Sequence, residues 1–208
     1  MDNATSEALK PYFEALGRKA PAEWDQLPDL GLYLDQVITF LERQLDFFKI
    51  PGDEPQITPS MINNYAKFGL VPRTVGKKYG QDHLALLLSV FALKRVLSVQ
   101  DMAALLGSPR GADETREFYG RFRESMKRAA ESTSREVGHA LPGLAGGEAI
   151  PDGKALRDLA LELAADASMR SRAAEVLLAL AISGEAGAQP EIAKSPPRRK
   201  RASKGEKA

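Results

Sequence analysis

Residues 57–106 decide the fold, and they read ITPSMINNYAKFGLVPRTVGKKYGQDHLALLLSVFALKRVLSVQDMAALL. Thr58 is a good N-cap because its hydroxyl can accept a hydrogen bond from the first turn, and Pro59 suits the first helical position. Gly69 can take the positive φ of the residue that follows a helix. The pattern therefore predicts a short helix that ends at Phe68.

The two faces of this short helix differ in chemistry. One side carries Met61, Ile62, Tyr65 and Phe68, and the other carries Ser60, Asn63, Asn64 and Lys67 at i, i+3, i+4 and i+7. Asparagine is a poor helix former, so two adjacent asparagines destabilise a short helix. Asparagine can pair with adenine N6 and N7, serine can contact a base or a phosphate, and lysine can reach a phosphate. The alternative is that an asparagine caps or hydrogen-bonds a neighbouring loop.

A basic segment follows directly. Residues 71–80 place a glycine turn between two short extended pieces and carry the cations Arg73, Lys77 and Lys78. This arrangement predicts a small β-wing. From residue 67 to residue 95 there are six cations and one acid, a local charge of +5 in a chain whose net charge is only +1. The imbalance favours a polyanionic partner.

Further helices are predicted on both sides of this segment. Asp82 is a candidate cap for a long helix with a wide apolar stripe, and Ser98 for a short helix over 99–106. Upstream, residues 32–48 form an amphipathic pattern that suits the first helix of a helix-turn-helix. The link to the short helix, residues 49–57, is longer than a tight turn.

These motifs resemble two related families. The string TPSMINNY at 58–65, within residues 24–106, resembles the bacterial family known as domain of unknown function 1836, itself MerR-like. The same segment with its basic continuation is similar to the winged helix-turn-helix of MerR-type transcription regulators. MerR-type proteins carry Arg and Tyr where this chain has Asn63 and Asn64, so those two roles do not transfer, whereas Tyr65 matches. The candidate DNA-binding residues are Ser60, Asn63, Asn64, Tyr65, Lys67, Arg73, Lys77 and Lys78.

The predicted fold is mainly all-α. Its parts are an N-terminal appendage (1–23), a MerR-like winged helix-turn-helix domain with a small β-wing (24–107), a C-terminal helical region (112–183) and a disordered basic tail (184–208). The apolar stripe of the helix predicted at about 112–137 either packs back on the domain or forms a dimer contact. The second half of the last helix, 173–182, is apolar on nearly every side, which suits burial between helices or at a subunit interface.

Several chemistries are not expected. The chain has no cysteine, which excludes disulfides and thiolate metal sites. Its two histidines, His83 and His139, are far apart, and His83 suits a structural or a phosphate-facing role better than that of a base. We expect no enzyme activity, no cofactor and no metal. The N-terminus lacks an apolar signal segment, and no apolar run approaches the roughly 20 residues of a membrane span, so a cytoplasmic protein is expected.

Three functional interpretations remain open. The first is a sequence-specific DNA-binding transcription regulator of MerR-like type, acting as a homodimer on double-stranded DNA. The alternative is a protein-interaction adaptor that retains the winged-helix fold and acts through its C-terminal helices. A small-molecule sensor is compatible with the first, although the sequence identifies no effector.

Overall fold

The computed structural model describes residues 11–46, 57–107, 111–140 and 153–185. Residues 11–17 are helical, a 3-10 turn spans Trp24–Gln26, and the main helices are α1 (Leu34–Gln44), α2 (Pro59–Lys67), α3 (Gln81–Leu93), α4 (Val99–Leu106), α5 (Ala112–Ala140) and α6 (Gly153–Glu185). The all-α class is confirmed for these residues. The link at 49–56 and nearly all of the predicted basic tail lie outside them.

Helix α3 is the centre of the domain. Every residue from Leu84 to Ala92 is buried, because α1 and α5 pack against this helix and α2 adds a ring contact. That contact joins Tyr65 and Phe91, with ring centroids 5.3 Å apart and planes at 82°. A helix that is apolar on every side is typical of such a fully surrounded position. It begins one residue before Asp82, which lies in its first turn rather than at its cap.

Helix α5 settles the open question about its apolar stripe. Phe118, Tyr119 and Phe122 are buried in the same core as α3. The Tyr119 hydroxyl donates a hydrogen bond of 2.8 Å to the backbone carbonyl of Ala22, and the Arg123 guanidinium donates one of 2.9 Å to that of Pro21. The stripe therefore packs back on the domain, and these bonds fasten the segment that precedes the 3-10 turn.

The predicted β-wing is wrong. Among the described residues there are no strands, only two isolated bridges, one between Val75 and Lys78 and one between Leu32 and Tyr79. Leu32 and Tyr79 exchange two backbone hydrogen bonds of 2.9 Å each. Tyr79 is buried and its backbone is paired with Leu32, so the residues after the turn are not available to pair with those before it. Before the turn, Pro72 also lacks the N–H that a strand pair would need. Residues 73–80 form a basic loop closed by a β-turn.

A second, smaller core joins the C-terminal helices. Val137 of α5 and Leu159 of α6 are buried together, with Phe13 packed against them. Gly17 lies so close to α5 that an added Cβ would stand 2.7 Å from the Cβ of Ser134. The helical segment at 11–17 is therefore seated directly on α5.

The second half of α6 is not buried as its composition predicts. Ala174 and Leu178 pack partly on the main core, and the Ser171 hydroxyl donates a hydrogen bond of 2.7 Å to the carbonyl of Val96. The remaining large apolar side chains face outward, with Leu177 67% exposed and Ile182 51% exposed. One side of this helix therefore covers the domain, and the other has no partner among the described residues.

Candidate nucleic-acid interface

Helix α2 presents its polar face outward because both its start and its rotation are fixed. The Met61 N–H donates a hydrogen bond of 3.3 Å to the Thr58 hydroxyl, which confirms the predicted N-cap, and Pro59 occupies the first position. Ile62 is fully buried and Tyr65 is 8% exposed, so the opposite side of the helix must face solvent.

The polar face of α2, Ser60, Asn63, Asn64 and Lys67, is exposed throughout. Within the described residues, none of these four side chains forms a hydrogen bond or an ion pair with another residue. The described part of the chain therefore supplies no partner for the alternative in which an asparagine holds a neighbouring loop. A row of two amides, a hydroxyl and an ammonium group, all exposed and unbonded within the described residues, is the main chemical feature of this surface.

Two aromatic side chains of α2 lie differently from the pattern-based expectation. Tyr65, a candidate DNA-binding residue, has its ring buried against Phe91, and this burial raises the pKa of its hydroxyl. Tyr65 therefore packs α2 against α3. Phe68 is on the predicted apolar side but is 60% exposed, one turn after Asn64. Because phenylalanine can contact the thymine methyl group, Phe68 adds an exposed apolar contact that the helical pattern did not predict.

The basic loop carries three exposed cations, Arg73, Lys77 and Lys78. Its β-turn has positive φ at both central residues, 61° at Gly76 and 60° at Lys77, which is the type I′ pattern. A positive φ is unusual for lysine and costs about 1 kcal/mol. The loop therefore holds an ammonium group at its tip at some expense in stability. The Lys78 ammonium lies 5.7 Å above the Tyr33 ring.

A groove brings part of the candidate set together. Lys67 of α2 and Arg73 of the basic loop line the same groove of about 270 Å³, whose apolar lining includes Leu86 and Leu106. Two cations at one groove can hold an anionic group. Lys94 is placed apart from them, half-buried with its ammonium 4.9 Å above the Phe91 ring, and this burial, with the nearby Arg95, lowers its pKa. The local charge of +5 is thus divided between separate surfaces.

His83 has a structural role at the start of α3. Its Nδ1 accepts a hydrogen bond of 3.2 Å from the Gly80 N–H, and its ring meets that of Tyr79 edge-on at 5.6 Å. The Nε2 atom is buried without a hydrogen-bond partner among the described residues. Burial lowers the pKa of His83, while the Arg73 carbonyl and the Asp82 carboxylate oppose the shift.

The cap at His83 makes stability depend on pH. Since the folded pKa lies below the ordinary value of about 6.5, the stabilisation is complete above that pH and is lost as pH falls through the folded pKa. We expect His83→Asn, whose side chain can still accept the bond, to flatten the loss of unfolding free energy between pH 7.5 and 5.5. The wild-type contribution is limited to about 1.4 kcal/mol per pH unit for one proton. Urea titrations measure it, with exposed His139→Gln as control; equal slopes in all three proteins would refute the assignment.

Other kinds of site leave no trace in the described part of the chain. No group of three or more histidine, aspartate or glutamate residues is placed there to hold a metal ion. None of its helices combines the length and the apolar character that a membrane crossing requires.

Residues 22–123 match the sequence profile of the family described as "Domain of unknown function (DUF1836)". Over this range, just under half of the chain, the sequence is similar to that family. The matched range includes α1 to α4 and the first part of α5, which contributes Phe118, Tyr119 and Phe122 to the core. Within the matched range, residues 58–65 form the cap and the first two turns of α2. Comparisons with curated proteins and with solved structures found no match.

Proposed function

We propose that the DUF1836-like region of this chain binds double-stranded DNA sequence-specifically, as part of a homodimeric transcription regulator of MerR-like type. Helix α2 enters the major groove with its polar face towards the base edges. The basic loop lies alongside and contacts flanking phosphates through Arg73, Lys77 and Lys78. Two copies on a palindromic site would place their α2 helices about 34 to 36 Å apart, or a multiple of that spacing.

The observation that carries this proposal is that the side chains of Asn63 and Asn64 are exposed and form no hydrogen bond with the described residues. Each asparagine costs a helix several tenths of a kcal/mol relative to alanine. Neither side chain regains that cost through a hydrogen bond to the described residues. Their positions one turn or less from Ser60 and Lys67 let all four reach one surface, and paired amide donors and acceptors match the N6 and N7 edge of adenine.

Selection of bound duplexes from a randomised library tests the proposal. With the full chain at about 50 mM salt, we expect enrichment of a palindromic motif whose half-sites contain adenine. Binding to the selected duplex should be at least about 10³-fold tighter than to scrambled DNA. Retention of duplexes without any enriched motif would limit the protein to non-specific binding, and no retention at low salt would refute the proposal.

A substitution at Lys77 should lower the affinity for DNA without lowering the folding stability. Asparagine tolerates positive φ better than lysine, so Lys77→Asn should leave stability unchanged or raise it by up to about 1 kcal/mol. The same change removes one phosphate contact, so all duplexes should bind more weakly and the salt slope, log K against log[salt], should flatten by about 0.9. Fluorescence anisotropy at several salt concentrations measures the slope. An unchanged slope would remove Lys77 from the interface.

A protein-interaction adaptor acting through the C-terminal helices is the second candidate. The outward-facing apolar side chains of α6 favour it, because large exposed apolar patches mark contact surfaces. The two candidates differ in the selection experiment: an adaptor predicts no enriched duplex even at low salt. They also differ in mutagenesis, since the adaptor tolerates alanine at Asn63 and Asn64 without loss of activity.

A further inference from the structure

Helix α6 has two apolar sides, and the described part of the domain uses only one. Its inner side, which includes Leu159, Leu163, Ala174 and Leu178, packs on α5, α4 and the core beneath them. Its outer face, defined here as Leu161, Ala165, Met169, Val176 and Leu180, repeats at intervals of four or seven residues. All five are exposed; the large ones range from 42% at Leu180 to 69% at Leu161 and Met169. Intervals of four and seven keep side chains on one face of a helix.

We infer that the outer face of α6 is a homodimer interface, in which α6 of a second copy packs antiparallel to the first. The face runs about 29 Å from Leu161 to Leu180, at 1.5 Å of rise per residue. With the flanking Leu177 it presents on the order of 500 Å² of apolar surface per copy, in the upper part of the range for the largest apolar patch on a monomer, which is often a functional surface. A symmetric pair would bury about 1,000 Å² in total, the lower limit of specific interfaces.

The occupant is a second copy because the face is complementary to itself. Large residues stand at both ends and small Ala165 stands between them, so in an antiparallel pair Leu161 meets Leu180 and Ala165 meets Val176 of the other copy. Residues i and j then contact each other twice, once on each side of the two-fold axis. Met169 lies close to that axis.

The charge of Glu162, beside the outer face, favours the antiparallel orientation. Glu162, in the first half of α6, forms no ion pair with the described residues, and Arg172, in the second half, is paired only with exposed Glu175 at 3.0 Å. A parallel pair in register would bring Glu162 against Glu162, whereas the two Arg172 side chains lie near each other in either orientation. The antiparallel pair with Leu161 against Leu180 instead places Glu162 opposite Ala179 and so removes that like-charge contact.

Sedimentation equilibrium of the full chain without DNA tests the interface. We expect a dimer of the 22.6 kDa chain at micromolar concentration. Val176→Glu or Leu180→Glu should raise its dissociation constant at least about tenfold, because each buries an unpaired charge between the helices. Leu30→Glu, at a residue 75% exposed outside α6, is the matched control and should leave the dimer intact. A monomeric wild-type chain, or a dimer that survives both α6 substitutions, would overturn the proposal.

The absence of cysteine allows the orientation to be tested directly. A short bismaleimide should link Met169→Cys to itself, and should link Leu161→Cys to Leu180→Cys when the two variants are mixed. Leu161→Cys alone should remain unlinked, because an antiparallel pair holds its two copies apart at opposite ends. Efficient linking of Leu161→Cys to itself would overturn the antiparallel arrangement. The result does not depend on DNA, so failure here and failure of the proposed DNA binding remain distinguishable.

Discussion

Changing both Asn63 and Asn64 to alanine is expected to abolish the sequence preference of the protein while leaving its non-specific affinity for DNA. Each lost bidentate contact should cost about 1 to 3 kcal/mol at one base position, or roughly five- to 150-fold in affinity. At low salt, phosphates would still be held by Lys67 and by the three cations of the basic loop. Anisotropy titrations with the selected duplex and with a scrambled duplex measure the two affinities separately.

Folding should not confound this result. Alanine is the better helix former, so the double variant should be as stable as the wild type or slightly more stable. Gln100→Ala, which removes an exposed amide from α4 outside the proposed interface, is the matched control and should bind normally. If the double variant retains its full preference for the selected duplex, α2 does not read the bases.

Leu87→Ala is expected to cause the largest loss of stability that we predict. Leu87 has no exposed surface and lies in the middle of α3, where α1 and α5 pack against the helix and α2 adds a ring contact. Removing its branched end should lower the free energy of unfolding by about 2 to 5 kcal/mol, since the site is too tightly surrounded to collapse fully. Thermal and urea unfolding of the full chain, followed by circular dichroism, measure the change.

The control for this core substitution has the same chemistry at an exposed position. Leu161 is 69% exposed on the outer face of α6, so Leu161→Ala should change the unfolding free energy by no more than about 0.5 kcal/mol at a concentration where the chain is monomeric. Similar effects at Leu87 and Leu161 would contradict the central position assigned to α3.

Local chemistry explains which elements the sequence could predict. The cap at Thr58 and the capping box of Ser98 and Asp101 each lie within four residues of the helix they start, so α2 and α4 were predictable from neighbouring residues alone. The wing could not be judged in this way. Its turn is local, but the backbone partner of Tyr79 is Leu32, far away in the chain, and no local pattern reveals that pairing.

Apolar composition alone could not predict which of two helices is fully buried. Leu84 to Ala92 and the second half of α6 both read as helices that are apolar on most sides, yet the first is surrounded and the second is half uncovered. Composition shows that surface should be buried, but it does not say whether the same chain or another copy covers it.

The candidate interface was predictable only where it depends on the local geometry of one helix. Helical spacing identified Ser60, Asn63, Asn64 and Lys67 as one exposed face, because the caps fix the helix and its apolar side fixes the rotation. Spacing alone did not show that Phe68 turns outward at the helix end, since helical periodicity stops there. Nor did it show that Lys67 and Arg73 share a groove, which depends on how the loop folds back.

A thermodynamic cycle between the asparagines and adenine tests the central claim most directly. The selected duplex is prepared with adenine or with 7-deazaadenine at the conserved half-site position, and each is titrated with wild type, Asn63→Ala and Asn64→Ala. Loss of N7 should weaken the wild type but have almost no further effect on one of the variants. The account predicts a coupling energy of about 1 kcal/mol or more for that pair. Fully additive losses for both asparagines would contradict it.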